Sequence, residues 1–76
     1  MRLSDLQSKD IINTNDGKKI GNIIDVNIDE DGNMKSLVVE KGKFFSKFSN
    51  KDEVEIKWQQ VKKIGEDVIL VCIDFL

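Results

Sequence analysis

Apolar and polar positions along this chain alternate in short runs, and turn signals separate the runs. After "LSDLQ", where Ser4 is placed to cap a single helical turn, Ile11 and Ile12 open a first strand. Asp16-Gly17 then predicts a two-residue hairpin turn, whose central positions both require positive φ. From about Lys19 to Ile28 the period is two. Ile20, Ile24, Val26 and Ile28 share one phase, while Asp25, Asn27 and Asp29 share the other. Gly21 inside this run marks a bulge or a barrel corner. Met34 to Glu40 makes the return strand, and both its phases, Met34/Val38 and Leu37/Val39, are partly apolar, as expected if its outer side is also covered. "KGKFFSKFSNKDE" is the least regular segment. A strand "VEIKW", a tight turn "QQV", a short strand "KKI" and a turn at Gly65-Glu66-Asp67 follow, and "VILVCIDFL" closes the chain. These elements predict an all-β fold of about six strands with tight turns and at most one short helical turn, a small sandwich or barrel.

The tip of the second hairpin, "NIDEDGNMKSLV" from Asn27 to Val38, has the oxygen-rich look of a calcium loop. The pattern fails. An EF-hand loop starting at Asn27 needs a bidentate Glu at its twelfth position, where Val38 stands, and needs helices where the flanks alternate with period two. A loop starting at Asp25 puts Glu30 where glycine belongs. Asp and Asn that bond their own backbone, with Gly32 supplying positive φ, account for the stretch as a turn.

The closing run is apolar on both faces. Val68, Leu70 and Cys72 form one phase, and Ile69, Val71, Ile73 and Phe75 the other. A small barrel needs only one apolar phase per strand, so something must cover the outward set. Asp74 favours Val68, Leu70 and Cys72 as that set. Leu3 and Leu6 of the N-terminal turn offer cover within one chain; a homodimer through Val68, Leu70 and Cys72 is the preferred expectation, because it also adds core to a marginal domain.

Composition narrows the chemistry. One domain is expected over all 76 residues, and a chain this size buries only about 60% of its unfolded surface. Twelve basic residues nearly balance fourteen acidic ones, for a net charge of −2, so no global field steers the protein to DNA or an anionic membrane. There is no histidine, which removes the commonest general base and zinc ligand. The single cysteine, Cys72, permits no intramolecular disulfide, fits a reducing cytoplasm and reads as a small buried hydrophobe. "MRLSDLQSKD" lacks a signal-peptide core, and "VILVCI" is too short to span a bilayer, so no transmembrane segment is expected. The carboxylates lie in turns or on polar phases and define no reaction, so no catalytic residue, metal ligand or cofactor is expected.

Two features are candidates for contact with other molecules. In "KGKFFSKFSNK", Lys41, Lys43, Lys47 and Lys51 interleave with Phe44, Phe45 and Phe48. Lys43, Phe44, Phe45, Lys47, Phe48 and Lys51 could form an interaction surface, or the phenylalanines could plug one end of a barrel; aromatics among cations also suit RNA or a membrane surface. Trp58 is expected in the core or at a barrel end.

"TNDGKKIGNIIDVNIDEDGNMKSLVVEKG" and "VEIKWQQVKKIGEDVILV" together resemble the PRC-barrel family, and the opening "RLSDLQ" is similar to its short, single-domain, sporulation-associated members in Gram-positive bacteria. Lys57 stands where the family commonly has proline, a change an edge strand tolerates. The resemblance implies a small closed β-barrel, a PRC-type fold that elsewhere binds macromolecules within a photosynthetic reaction-centre subunit and a ribosome-maturation factor. It implies a non-enzymatic protein-interaction module with a sporulation-linked role and an unknown protein partner; the alternative is an RNA- or ribosome-associated accessory.

Overall fold

The structure, a computed structural model, describes residues 1–42 and 53–74. A one-and-a-half-turn helix α1 (Leu3–Gln7) precedes strands β1 (Asp10–Asn13), β2 (Lys18–Ile28) and β3 (Met34–Lys41). After them come β4 (Glu53–Lys57), a 3-10 turn (Trp58–Gln60), β5 (Val61–Ile64) and β6 (Val68–Val71). The six strands form one sheet in the order β4-β3-β2-β1-β6-β5. Neighbours are antiparallel except β1 and β6, which run parallel with Ile11 beside Ile69 and Ile12 beside Leu70.

The all-β, small PRC-type fold stands, but the sheet is not the closed barrel that the resemblance implies. Among the described residues β4 and β5 are its two edges and do not pair with each other. Only the 3-10 turn separates them in the chain, so the sheet rolls until its edges meet at that corner. The roll is visible in the core. One cluster joins Leu37, Val39 and Ile56 of β3 and β4 to Ile11, Ile69 and Val71 of β1 and β6, with Ile20 and Ile23 of β2 between them. Leu6 of α1 and Ile73 beyond β6 complete it. Each such side chain removed from water contributes about 1.5–3 kcal/mol.

β2 carries the bend. Against β1 its ladder skips Ile20, and against β3 it steps from Ile23–Val39 to Asp25–Val38, leaving Ile24 unmatched. Each extra residue turns the strand and reverses its phase. The expected set Ile20, Ile24, Val26 and Ile28 is therefore split. Ile20 and Ile23 are buried, Ile24 is exposed, and Ile28 is 62% exposed. Gly21, next to the first irregularity, permits the close approach of β3: a Cβ there would stand 1.8 Å from the Glu40 carbonyl oxygen.

Three further expectations change. The β1–β2 connection is a four-residue loop, Thr14 to Gly17, in which only Gly17 has positive φ (71°). The Asp16 carboxylate accepts the Lys18 amide instead, which removes the need for a left-handed Asp. Arg2, not Ser4, occupies the N-cap of α1, because the Asp5 carboxylate reaches back to the Arg2 amide at 2.8 Å. And β6 ends at Val71: the Cys72 amide donates to the Gln60 carbonyl of the 3-10 turn, and at Ile73 side-chain amides rather than a neighbouring strand hold the backbone.

Candidate functional site

The β2–β3 turn is built around Asp29. Its Oδ1 accepts the amides of Asp31 (2.9 Å) and Asn33 (2.8 Å), its Oδ2 accepts the Asn33 side-chain amide, and Gly32 supplies a φ of 87°. The Asn33 backbone amide and these other donors hold the Asp29 carboxyl below its ordinary value of 3.8. Among the described residues no three Asp, Glu or Cys side chains come together as a metal site.

A second carboxylate faces the same side of the sheet. Glu55 of β4 accepts the Ser36 hydroxyl at 2.5 Å and the Asn27 amide at 2.9 Å, and Asn27 also donates to the Ser36 oxygen at 2.9 Å. The cluster follows from register: Asn27 lies opposite Ser36, and Glu55 lies opposite Val38, the next outward position of β3. Ser36 is 2% exposed, so its hydroxyl needs these partners. The Ser36 hydroxyl, then the Asn27 amide and the nearby Lys57 charge, lower the Glu55 carboxyl from 4.5.

Between this cluster and the 3-10 turn lies a groove of about 530 Å³. Asp29 and Asn33 form one wall and Trp58 and Gln59 the other, with Met34 and Ser36 along β3 and Glu55 and Lys57 along β4. Trp58, expected in the core or at a barrel end, is 38% exposed at the head of the 3-10 turn. This groove was not legible in the sequence; its one signal there is a tryptophan placed directly after a strand in which charged and apolar residues alternate.

The other candidate surface lies on the outward phase of β1 and β6, separated from β3 and β4 by β2 in the sheet order. Ile69, Val71 and Ile73 are buried in the core, which leaves Val68, Leu70 and Cys72 on the outward phase, each half-buried. Register places Ile12 of β1 beside Leu70, with Lys63 of β5 flanking Leu70 and Lys19 of β2 flanking Ile12. Lys19 also pairs with Asp10 at 3.1 Å across β1 and β2, and this contact, with the Asn22 amide, lowers the Asp10 carboxyl from 3.8. The cover offered by α1 is limited: Leu6 is committed to the core, Leu3 is 44% exposed, and α1 packs mainly on β2. Cys72 donates to the Asn15 side-chain oxygen at 3.5 Å.

The Lys43, Phe44, Phe45, Lys47, Phe48 and Lys51 surface lies outside the described residues. No helix among the described residues is long and apolar enough to cross a membrane.

Comparison with known proteins decides the family. The PRC-barrel domain profile matches residues 1–74. The chain belongs to the PRC-barrel family. It is 39% identical over 71 residues to the "Probable sporulation protein YlmC" of Bacillus subtilis (strain 168), covering 91% of this chain and 88% of that one. An uncharacterized protein of Clostridium acetobutylicum is 39% identical over 67 residues, covering 87% of this chain and 77% of that one. The "Uncharacterized protein YmxH" of Bacillus subtilis is 30% identical over 74 residues, covering 93% and 87%. This PRC-barrel chain thus resembles its relatives across most of their length, with both candidate surfaces inside the matched region.

Proposed function

We propose that this PRC-barrel protein is a non-enzymatic, cytoplasmic protein-interaction module with a sporulation-linked role, and that it docks as a homodimer through the outer face of β1 and β6. The stripe of Ile12, Val68 and Leu70 carries this reading. Ile12 lies beside Leu70 in register with Lys19 and Lys63 flanking the pair, Val68 stands two residues before Leu70 beside Asp10, and all three aliphatic side chains are half-buried. A solvated sheet face would place polar residues there; an apolar centre with a charged rim is how docking surfaces are built. A two-fold contact would set each stripe against its own copy. The sporulation link rests on the name of the Bacillus subtilis relative. Sedimentation equilibrium of the wild type and of Leu70→Asp tests the docking face. The wild type should associate at high micromolar concentration and the variant should not; a wild type that stays monomeric there eliminates the dimer.

A further inference from the structure

We infer that the groove between the β2–β3 turn and the 3-10 turn receives one cationic side chain, arginine above all, presented by a partner polypeptide. The inference rests on the reading of this protein as an interaction module and names the chemistry of a partner at a face distinct from the proposed dimer stripe.

Neutral donors fix both carboxylates of the groove. Asp29 is oriented by backbone amides and Asn33, and Glu55 by a hydroxyl and a carboxamide. All of these donors are neutral. They set the position of each carboxylate and favour its ionised form without cancelling its charge. Among the described residues neither carboxylate closes an ion pair, although Lys35 and Lys57 also line the groove. The two oriented carboxylates thus share the groove with two exposed lysines, of which the Lys57 charge already acts on Glu55, and an incoming guanidinium competes with them for the carboxylate oxygens. The surroundings add to the negative side: Glu30 and Asp31 continue the turn from Asp29, and Glu53 precedes Glu55 on β4.

The third element is the wall. Trp58 is 38% exposed on the groove, and an indole face attracts a cation by about 0.5–1 kcal/mol at exposed sites and more when water is excluded. Met34 gives the methylene stem an apolar, adaptable surface. A guanidinium suits this set better than an ammonium, because its flat fork can meet a carboxylate edge-on while its face lies on the indole. Anionic partners such as RNA would meet the same two carboxylates as repulsion.

Trp58 is the only tryptophan, so its fluorescence reports the groove directly. The experiment titrates the protein with acetyl-Gly-Arg-Gly-amide, with the same peptide carrying neutral, near-isosteric citrulline, and with a uridine oligomer. The arginine peptide should give a saturable change, and citrulline should bind about tenfold more weakly. Glu55→Gln should weaken the arginine peptide roughly three- to tenfold. An amide ¹H–¹⁵N spectrum checks that this variant is folded. If it is not, Trp58→Leu, read by peptide-induced shifts at Ser36 and Gln59, should show the same loss. Equal responses to arginine and citrulline, no saturable response, or a stronger response to the uridine oligomer each overturn the proposal. Sedimentation of the same samples separates the two readings: dimers without a peptide response remove the groove and leave the docking face.

Discussion

The side chain of Asn13 binds both backbone groups of Ile73, sixty residues away. Its Nδ2 donates to the Ile73 carbonyl at 3.1 Å, and its Oδ1 accepts the Ile73 amide at 3.3 Å. Asn13 is 2% exposed and Ile73 3%. The pair does what a ladder rung would do, at the point where β6 has stopped being a strand. Asn15 reinforces it by donating to the same carbonyl at 2.6 Å and to the Asp74 carboxylate at 2.8 Å. Two side chains of the β1–β2 region thereby hold the last described segment over the open end of the core.

Replacing Asn13 with Leu should be costly for a defined reason. The Ile73 carbonyl keeps Asn15, but the buried Ile73 amide loses its partner, a loss of about 1–3 kcal/mol. For a domain this small that lowers the melting temperature by roughly 5–20 °C. Asn13→Asp should be at least as damaging near neutral pH, since it keeps the acceptor but sets a carboxylate against the Ile73 carbonyl. Thermal unfolding followed by circular dichroism checks both; an Asn13→Leu variant as stable as the wild type would show that the clamp contributes nothing.

Gly21 and Gly42 make a matched pair for the bend in the sheet. A Cβ at Gly21 overlaps the Glu40 carbonyl, whereas at Gly42 its nearest atom is the Ile20 oxygen at 3.7 Å, an ordinary contact. Gly21→Ala should therefore destabilise by about 3 kcal/mol or more, because backbone must move, while Gly42→Ala should lie within about 1 kcal/mol of wild type. Gly32→Ala falls between them: space is open, but its φ of 87° strains an L-residue by about 1–2 kcal/mol. Urea midpoints for the three variants should follow that order.

The strands themselves were legible because period-two alternation and turn residues are local signals. Six strands and the acidic turn follow from them, and Gly21 announced the irregularity beside it. The phase of β2 was not legible. Ile23 and Ile24 are adjacent, identical and both compatible with either face; only the β3 ladder, which skips Ile24, sends Ile23 inward. The same limit hid the groove. Asn27, Ser36 and Glu55 belong to three strands, and nothing within any one of them says that the register brings them together. The early end of β6 was equally hidden, because "VILVCI" stays apolar while its hydrogen-bond partner changes from a strand to Asn13.

Acid should weaken this fold from a narrow window. Asp10, Asp29 and Glu55 all titrate below their ordinary values of 3.8, 3.8 and 4.5 in the folded protein, held there chiefly by Lys19, by the Asn33 amide and by the Ser36 hydroxyl. A carboxyl with a depressed folded value contributes stability above its unfolded value and loses it as pH falls through the folded one. With no histidine to titrate near neutrality, urea midpoints should be nearly level from about pH 6 to 8 and decline below about pH 4.5. Glu55→Gln should make that decline shallower. A decline already under way at pH 6 would point to a different titrating group.

Cys72 gives an independent reading of the proposed dimer. It continues the outward phase of Val68 and Leu70, half-buried at the end of the stripe, and it is the only cysteine, so any thiol signal belongs to it. Thiol reactivity tracks exposure as well as ionisation. Under association through this face, the rate of maleimide labelling of the wild type should fall several-fold as protein concentration rises from low to high micromolar, because the dimer shields what the monomer exposes. In Leu70→Asp, where a carboxylate would be buried against its own copy, labelling should stay at the fast, dilute rate throughout. Circular dichroism at both concentrations separates shielding from a change in fold. A wild-type labelling rate that ignores concentration, in samples that sediment as dimers, would place the contact elsewhere and leave Ile12, Val68 and Leu70 facing water.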